Sequence, residues 1–129
     1  MAAPIRSELP NGEPVDLLPL ARAVAARHRE EFPDEAERYG DAGLEWCIHD
    51  NQHILNWGVR AAGDHVDLDG QIAWLARVLE ARGYPLDHLA RDLELAADEL
   101  LAAHPDAGAG AADGLRDQAS RIRGTGTFL

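Results

Sequence analysis

Only one cysteine, Cys47, occurs in the 129 residues, so the chain has no internal disulfide to form and a cytoplasmic, reducing location is expected. Basic residues are scarce. Twelve Lys and Arg stand against 23 Asp and Glu, a net charge of −11, which repels phosphate backbones and anionic membrane surfaces and argues against nucleic acid or membrane as partners. No run approaches the ~18 consecutive apolar residues of a membrane span, and Met1–Pro14 has no apolar stretch of signal-peptide kind. Nothing alternates with period two, so no sheet is expected. A Gly-rich phosphate loop is missing, and Ser7 and Ser120 have no catalytic neighbourhood in the sequence.

A hydrophobic content of 46% in a chain of this length supports one core. Pro4, Pro10, Asn11, Gly12 and Pro14 punctuate residues 1–14 so densely that a flexible arm is expected there. A first helix from Asp16 or Pro19 to Glu31 follows from the spacing of Leu17, Leu20, Ala21, Val24, Ala25 and His28, with Pro33 stopping it. A short turn from Asp34 to Arg38 and a break at Tyr39–Gly40 precede a long second helix, Asp41–Ala62, ended by Gly63. A third helix runs from a cap at Asp67 to Arg82 and stops at Gly83; a fourth runs from Pro85 to Ala103, with its exposed side acidic. Residues 104–129 read as a flexible connector rich in alanine and glycine, a short helix at Asp113–Arg123 and a tail. The expected fold is all-α: an antiparallel four-helix bundle over 15–103 with an additional short C-terminal helix.

The second helix carries the strongest functional signal. At roughly 100° per residue, Leu44, Trp46, Cys47, Ile48, Ile54, Leu55, Trp57, Gly58, Val59, Ala61 and Ala62 form one apolar arc, and Asp50 and Asn51 fall inside it. Burying a carboxylate and an amide costs several kcal/mol unless partners are supplied, so this pair marks a place where something must meet it. Glu45, His49, Gln52, His53, Asn56 and Arg60 are left to water. Trp46 and Trp57 flank His53 on one edge, and with Trp74 they make three indoles in a chain with 5% aromatic residues. Indoles beside polar groups suit a planar ligand, although packing between helices is the commoner role. Trp46, Asp50, Asn51, His53, Trp57 and Trp74 are therefore the candidate ligand-binding residues.

His49-Asp50-Asn51-Gln52-His53 resembles the HExxH zinc signature with aspartate in place of glutamate, and the i, i+4 spacing puts both imidazoles on adjacent turns. His49 and His53 are the alternative metal ligands, of a metal-dependent enzyme. No third ligand is evident beside them, so a structural reading outweighs a metal one. Asp50 and His53 also have the carboxylate-x-x-histidine spacing of di-iron bundles, but a second copy is missing. Cys47 reads as a small buried hydrophobe. Phe128–Leu129, at the end of the Gly-Thr tail, either docks into another protein or folds back on the bundle.

Taken together, Tyr39-Gly40, Gly43, Cys47, Asp50, His53, Leu55, Ala61, Trp74, Leu79 and Arg82-Gly83 resemble the helical domain that precedes the cobalamin-binding domain in bacterial cobalamin-dependent photoreceptors and related sensors. The resemblance covers about residues 34–101. The Asp-x-His-x-x-Gly loop of the cobalamin-binding domain itself occurs nowhere in this chain, nor does the tryptophan followed by Glu-His of those photoreceptors. What the resemblance implies is an accessory or sensory bundle without catalysis, its cofactor unknown. The expected function is a non-enzymatic, sensor-like or regulatory module that binds a small molecule or a protein partner near the Trp/Asp/His cluster. The expected assembly is a homodimer, since helices of this length leave apolar surface.

Overall fold

The spacing of Leu17, Ala21, Val24, Ala25 and His28 at threes and fours puts all five on the buried face of the first helix, α1, Leu17–Glu31. The structure, a computed structural model, describes residues 2–129; Met1, the first residue of the arm expected at 1–14, lies outside the described residues. Pro33 opens the second helix, α2, Pro33–Ala62, where its missing N–H costs nothing. Gly40 breaks α2 with φ 63° and ψ −155°, a conformation that L side chains rarely adopt. The Arg29 guanidinium donates to the Gly40 carbonyl at 2.7 Å and satisfies an acceptor that the break leaves open. The break expected at Tyr39–Gly40 is thus present, and two helical segments of α2 meet at this kink.

Helix α3, Leu68–Ala81, begins after Asp67, whose carboxylate makes no capping hydrogen bond although the residue holds the capping position. Gly83, at φ 79°, turns the chain so that its own N–H and that of Tyr84 reach the carbonyls of Glu80 and Leu79 at 2.9 and 3.0 Å. Helix α4, Leu86–Ala103, follows Pro85, and α5, Ala109–Gly124, closes the fold. The chain is all-helical apart from one small hairpin, and the bundle with an added C-terminal helix is the architecture expected. No described helix is long and apolar enough to cross a membrane.

Helix α4 is the centre of the molecule. Leu89, Ala90, Leu93, Leu95, Ala96, Ala97 and Leu100 are all buried, because α1 packs on one side and α5 lies along another. Full burial of each leucine contributes about 1.5–3 kcal/mol. Helix α5 also crosses α2 at Gly58, where a Cβ would stand 3.0 Å from Leu115 Cγ, so the missing side chain is what admits this approach.

Three expectations are overturned. Residues 2–14 do not form a flexible arm: β1, Arg6–Glu8, pairs antiparallel with β2, Pro14–Asp16, and the loop between them buries Leu9. The expectation of no sheet fails for the same reason. Val15 is buried alongside, and Pro10 to Gly12 form the turn, with Gly12 N–H on the Leu9 carbonyl at 2.8 Å. The connector expected at 104–112 is a short turn, tied to the hairpin by the hydrogen bond between the His104 and Glu13 side chains, after which Ala111 and Ala112 already pack as buried residues of α5. Small residues there permit close helix contact. Of the two courses expected for the tail, it takes the one that folds back: the Glu80 carboxylate accepts from Phe128 N–H and Thr127 Oγ1, each at 2.7 Å, and the Arg121 guanidinium lies 5.6 Å from the Phe128 ring centre.

Candidate functional site

Asp50 and Asn51 differ by about 100° around the helix, so they face different neighbours, and only Asn51 points into the interior. Asn51 is 1% exposed, whereas Asp50 is half-buried beside His49, 3.5 Å from its Nδ1. The expectation of a buried Asp50 is therefore corrected. Burial raises the Asp50 carboxyl above its ordinary range, with His49 and Arg82 opposing the shift. Gln52, expected in water, is buried because the N-terminal hairpin covers it, and its Nε2 donates to the Pro4 carbonyl at 3.0 Å.

The three tryptophans do not gather around Asn51. Trp46 is 60% exposed and Trp74, on α3, is 55% exposed, so neither has the core-packing role that is commoner for an indole. At this height α1 and α4 meet α2 on the side of Cys47, which lines a cavity with His28 and lies against Asp92, so the indole of Trp46 is left outside that contact. Trp46, His49, His53 and Trp57 instead form an aromatic ladder along α2, with successive ring centres 5.5, 4.8 and 5.7 Å apart. Burial and the nearby His49 lower the His53 imidazole below its ordinary value. The two histidines of the HDNQH segment are adjacent, as their spacing requires. Among the described residues, however, they belong to no group of three metal-binding side chains.

Asn51 leads to a different place. Its Nδ2 donates to Asp92 Oδ1 at 3.0 Å and to the Cys47 carbonyl at 2.9 Å, and lies 3.5 Å from Cys47 Sγ. Its Oδ1 is buried without a hydrogen-bond partner. Asp92, on α4, is 6% exposed, and its Oδ1 is 3.9 Å from Cys47 Sγ. His28 of α1, 2% exposed, completes a trio: one donor atom each from His28, Cys47 and Asp92 all fall within 4.8 Å of one another.

A second tier of polar groups stands behind the trio. His28 Nε2 lies 3.2 Å from the His88 carbonyl, which can only accept, so this contact takes its proton from Nε2, while Nδ1 lies 3.9 Å from Glu35 Oε2. Glu35, from the segment of α2 before the kink, accepts from Tyr84 Oη at 3.0 and 3.1 Å and from His88 Nδ1 at 2.5 Å. Phe32 stacks on the His88 ring with centres 3.8 Å apart. A cavity of about 20 Å³, lined by His28, Glu35, Cys47 and Tyr39 among others, is large enough for one water-sized guest.

The electrostatics follow from burying several acids together. Burial pushes the Asp92 carboxyl up to about 6, against the pull of His28 and the Asn51 hydrogen bond. Burial, then the charges of Asp92, Glu35 and Asp50, raises the Cys47 thiol far above its usual range. Tyr84 is raised by burial and by Glu35. Without a counter-ion the Cys47 thiol and the Tyr84 hydroxyl keep their protons; a cation placed beside Cys47 and Asp92 favours the thiolate and the carboxylate instead.

Of the residues singled out from the sequence as ligand-binding, the buried cluster contains Asn51 alone. Cys47 and His28 were visible only as apolar-face residues, and Asp92 was hidden by the acidic character of its helix. Its signal lay in the width of the apolar arc on α4: Leu95, Ala96, Leu89, Leu100, Leu93, Ala97 and Ala90 span more than half the helix, and Asp92 falls between Leu95 and Ala96. Comparison of the chain with family models, with curated proteins and with solved structures finds no match. Nothing in those comparisons connects it to the cobalamin-dependent photoreceptors.

Proposed function

We propose that this chain is a non-catalytic, sensor-like helical module that binds a small ligand at the buried polar cluster joining α1, α2 and α4. One observation carries the reading: His28, Asn51 and Asp92 are buried in an otherwise apolar core, they come from three different helices, and Asn51 Oδ1 is left without a partner. Buried polar groups are costly unless they serve structure or binding. The adjoining cavity admits a guest of one or a few atoms, which suits recognition better than turnover of a larger substrate. Glu35 sits before the Gly40 kink and Cys47 and Asn51 after it. Occupancy that draws these groups together thus biases the angle between the two segments of α2, the kind of two-state element a sensor needs.

Native mass spectrometry of the protein as isolated tests this reading. The expected result is a stoichiometric adduct on the folded chain that is released on denaturation and lost in Asn51→Ala. A bare chain in every preparation, with Asn51→Ala altering stability alone, contradicts it.

A second reading is favoured by the exposure of Trp46 and Trp74. Exposed indoles are characteristic anchors of protein interfaces, and a second copy of this chain is the partner proposed. Sedimentation of the wild type and of Trp46→Ala over a range of concentrations tests it: a concentration-dependent dimer weakened by the substitution supports it, and a monomer throughout refutes it.

A further inference from the structure

We infer that the ligand is a divalent transition-metal cation of the zinc type, bound by His28 of α1, Cys47 of α2 and Asp92 of α4. The inference deepens the small-ligand reading above and rests on it.

The donor chemistry selects the cation. A thiolate, an imidazole and a carboxylate form the mixed set that borderline-soft ions such as zinc accept in four-coordinate sites, whereas calcium and magnesium require six or more oxygen donors, which this place does not offer. The three donor atoms already lie within 4.8 Å of one another, so small side-chain rotations close them around one ion. Charge balance agrees: one thiolate and one carboxylate neutralise a divalent cation in a site too dry to leave either sign uncompensated.

The surroundings are those of an oriented site. His28 Nε2 lies 3.2 Å from the His88 carbonyl, a contact that orients the ring and, in the neutral imidazole, leaves Nδ1, 3.9 Å from Glu35 Oε2, to the ion. Asn51 Nδ2 holds Asp92 Oδ1 at 3.0 Å, and the unpartnered Asn51 Oδ1 is independent of the trio itself. The fourth position falls to a water, for which the cavity beside His28 and Cys47 has room. Binding forms a metal–Sγ bond and releases the thiol proton to solvent; Asp92 binds as carboxylate and His28 as neutral imidazole, with no change of oxidation state.

The test is a cobalt(II) titration of the full chain after removal of metals with a chelator. The expected result is a thiolate-to-cobalt band in the near ultraviolet, with visible bands of tetrahedral intensity, saturating at one equivalent and reversed by zinc. Cys47→Ser should abolish the ultraviolet band, while the double substitution His49→Gln/His53→Gln leaves it intact. Asp92→Asn, which preserves the shape of the side chain, should weaken binding by about tenfold or more and remove the rise in melting temperature that zinc gives the wild type. That second readout stands even if Cys47→Ser fails to fold. No band at one equivalent, or loss of binding in the His49/His53 variant alone, overturns the assignment. An organic adduct in native mass spectra without any cobalt response overturns the metal and leaves the small-ligand reading standing; absence of both overturns the two together.

Discussion

Replacing Asp92 by asparagine should stabilise the metal-free protein at neutral pH and leave it nearly unaffected in acid. The carboxyl titrates near 3.8 when solvated and at about 6 in the fold, with burial the main cause. A rise of roughly two units corresponds to about 3 kcal/mol. The direction follows from proton counts. Between the two values the folded chain binds this proton more tightly than the unfolded chain, so stability falls as pH rises through the window. Below it both states are protonated and the penalty is absent; above about 6 it is complete.

The amide introduced by Asp92→Asn carries no charge to desolvate, and the unpartnered Asn51 Oδ1 is a buried acceptor close to it. Some of the gain is lost in reorienting the Asn51 amide, so about 1–3 kcal/mol is expected near pH 8. His28, Glu35 and Asp50 also face this carboxyl, but they are common to both proteins and largely cancel in the difference. Urea unfolding of both proteins in the presence of a chelator, from about pH 4 to pH 8, measures the effect. A difference that does not change with pH, or a wild type more stable than the variant at the alkaline end, refutes the reasoning. Added zinc should reverse the order by stabilising only the wild type.

Other substitutions probe the elements around the cluster. Glu35→Gln removes a charged acceptor from Tyr84 and His88, and about 1.5–3 kcal/mol of unfolding free energy should be lost in urea titrations. Leu115→Ala empties a fully buried position against α2 and should cost about 2–5 kcal/mol by the same measurement. Deleting residues 105–129 removes buried Ala111, Ala112, Leu115, Gln118, Ala119 and Ile122; loss of cooperative thermal unfolding by circular dichroism is expected, because the core of α4 is then open to water. Trp46→Ala, at an exposed position, should change the stability of the monomer by no more than about 0.5 kcal/mol.

The helices were legible where punctuation was strong. Pro33, Gly40, Gly63 and Gly83 mark real ends or breaks: the proline ring fixes φ and removes a donor, and Gly40 and Gly83 take positive φ values that residues with a Cβ avoid. The hairpin was not legible. Strands of three residues carry no usable period, and the proline, asparagine and glycine that read as disorder in fact form its turn; Leu9 and Val15 are its only deeply buried side chains. Residues 104–112 misled in the same manner, since alanine and glycine serve close packing as well as flexibility.

For the site, the helical wheel located Asn51 but could not say which neighbour it meets, and it spread attention over Asp50 and the indoles. The wheel reports which side of a helix is apolar. It does not report whether another helix covers that side at a given height, which is why Trp46 is exposed while Ile54 and Leu55, further along the same arc, are buried. Asp92 and His28 join Asn51 only through the packing of α1 and α4 on α2, contacts at sequence separations that no local pattern encodes.

Crystals of the full chain soaked in zinc, with diffraction recorded on both sides of the zinc absorption edge, locate the ion directly. The proposed metal site predicts one anomalous peak within bonding distance of His28, Cys47 and Asp92. A peak at His49 and His53 instead, or none at the trio in fully soaked crystals, contradicts it.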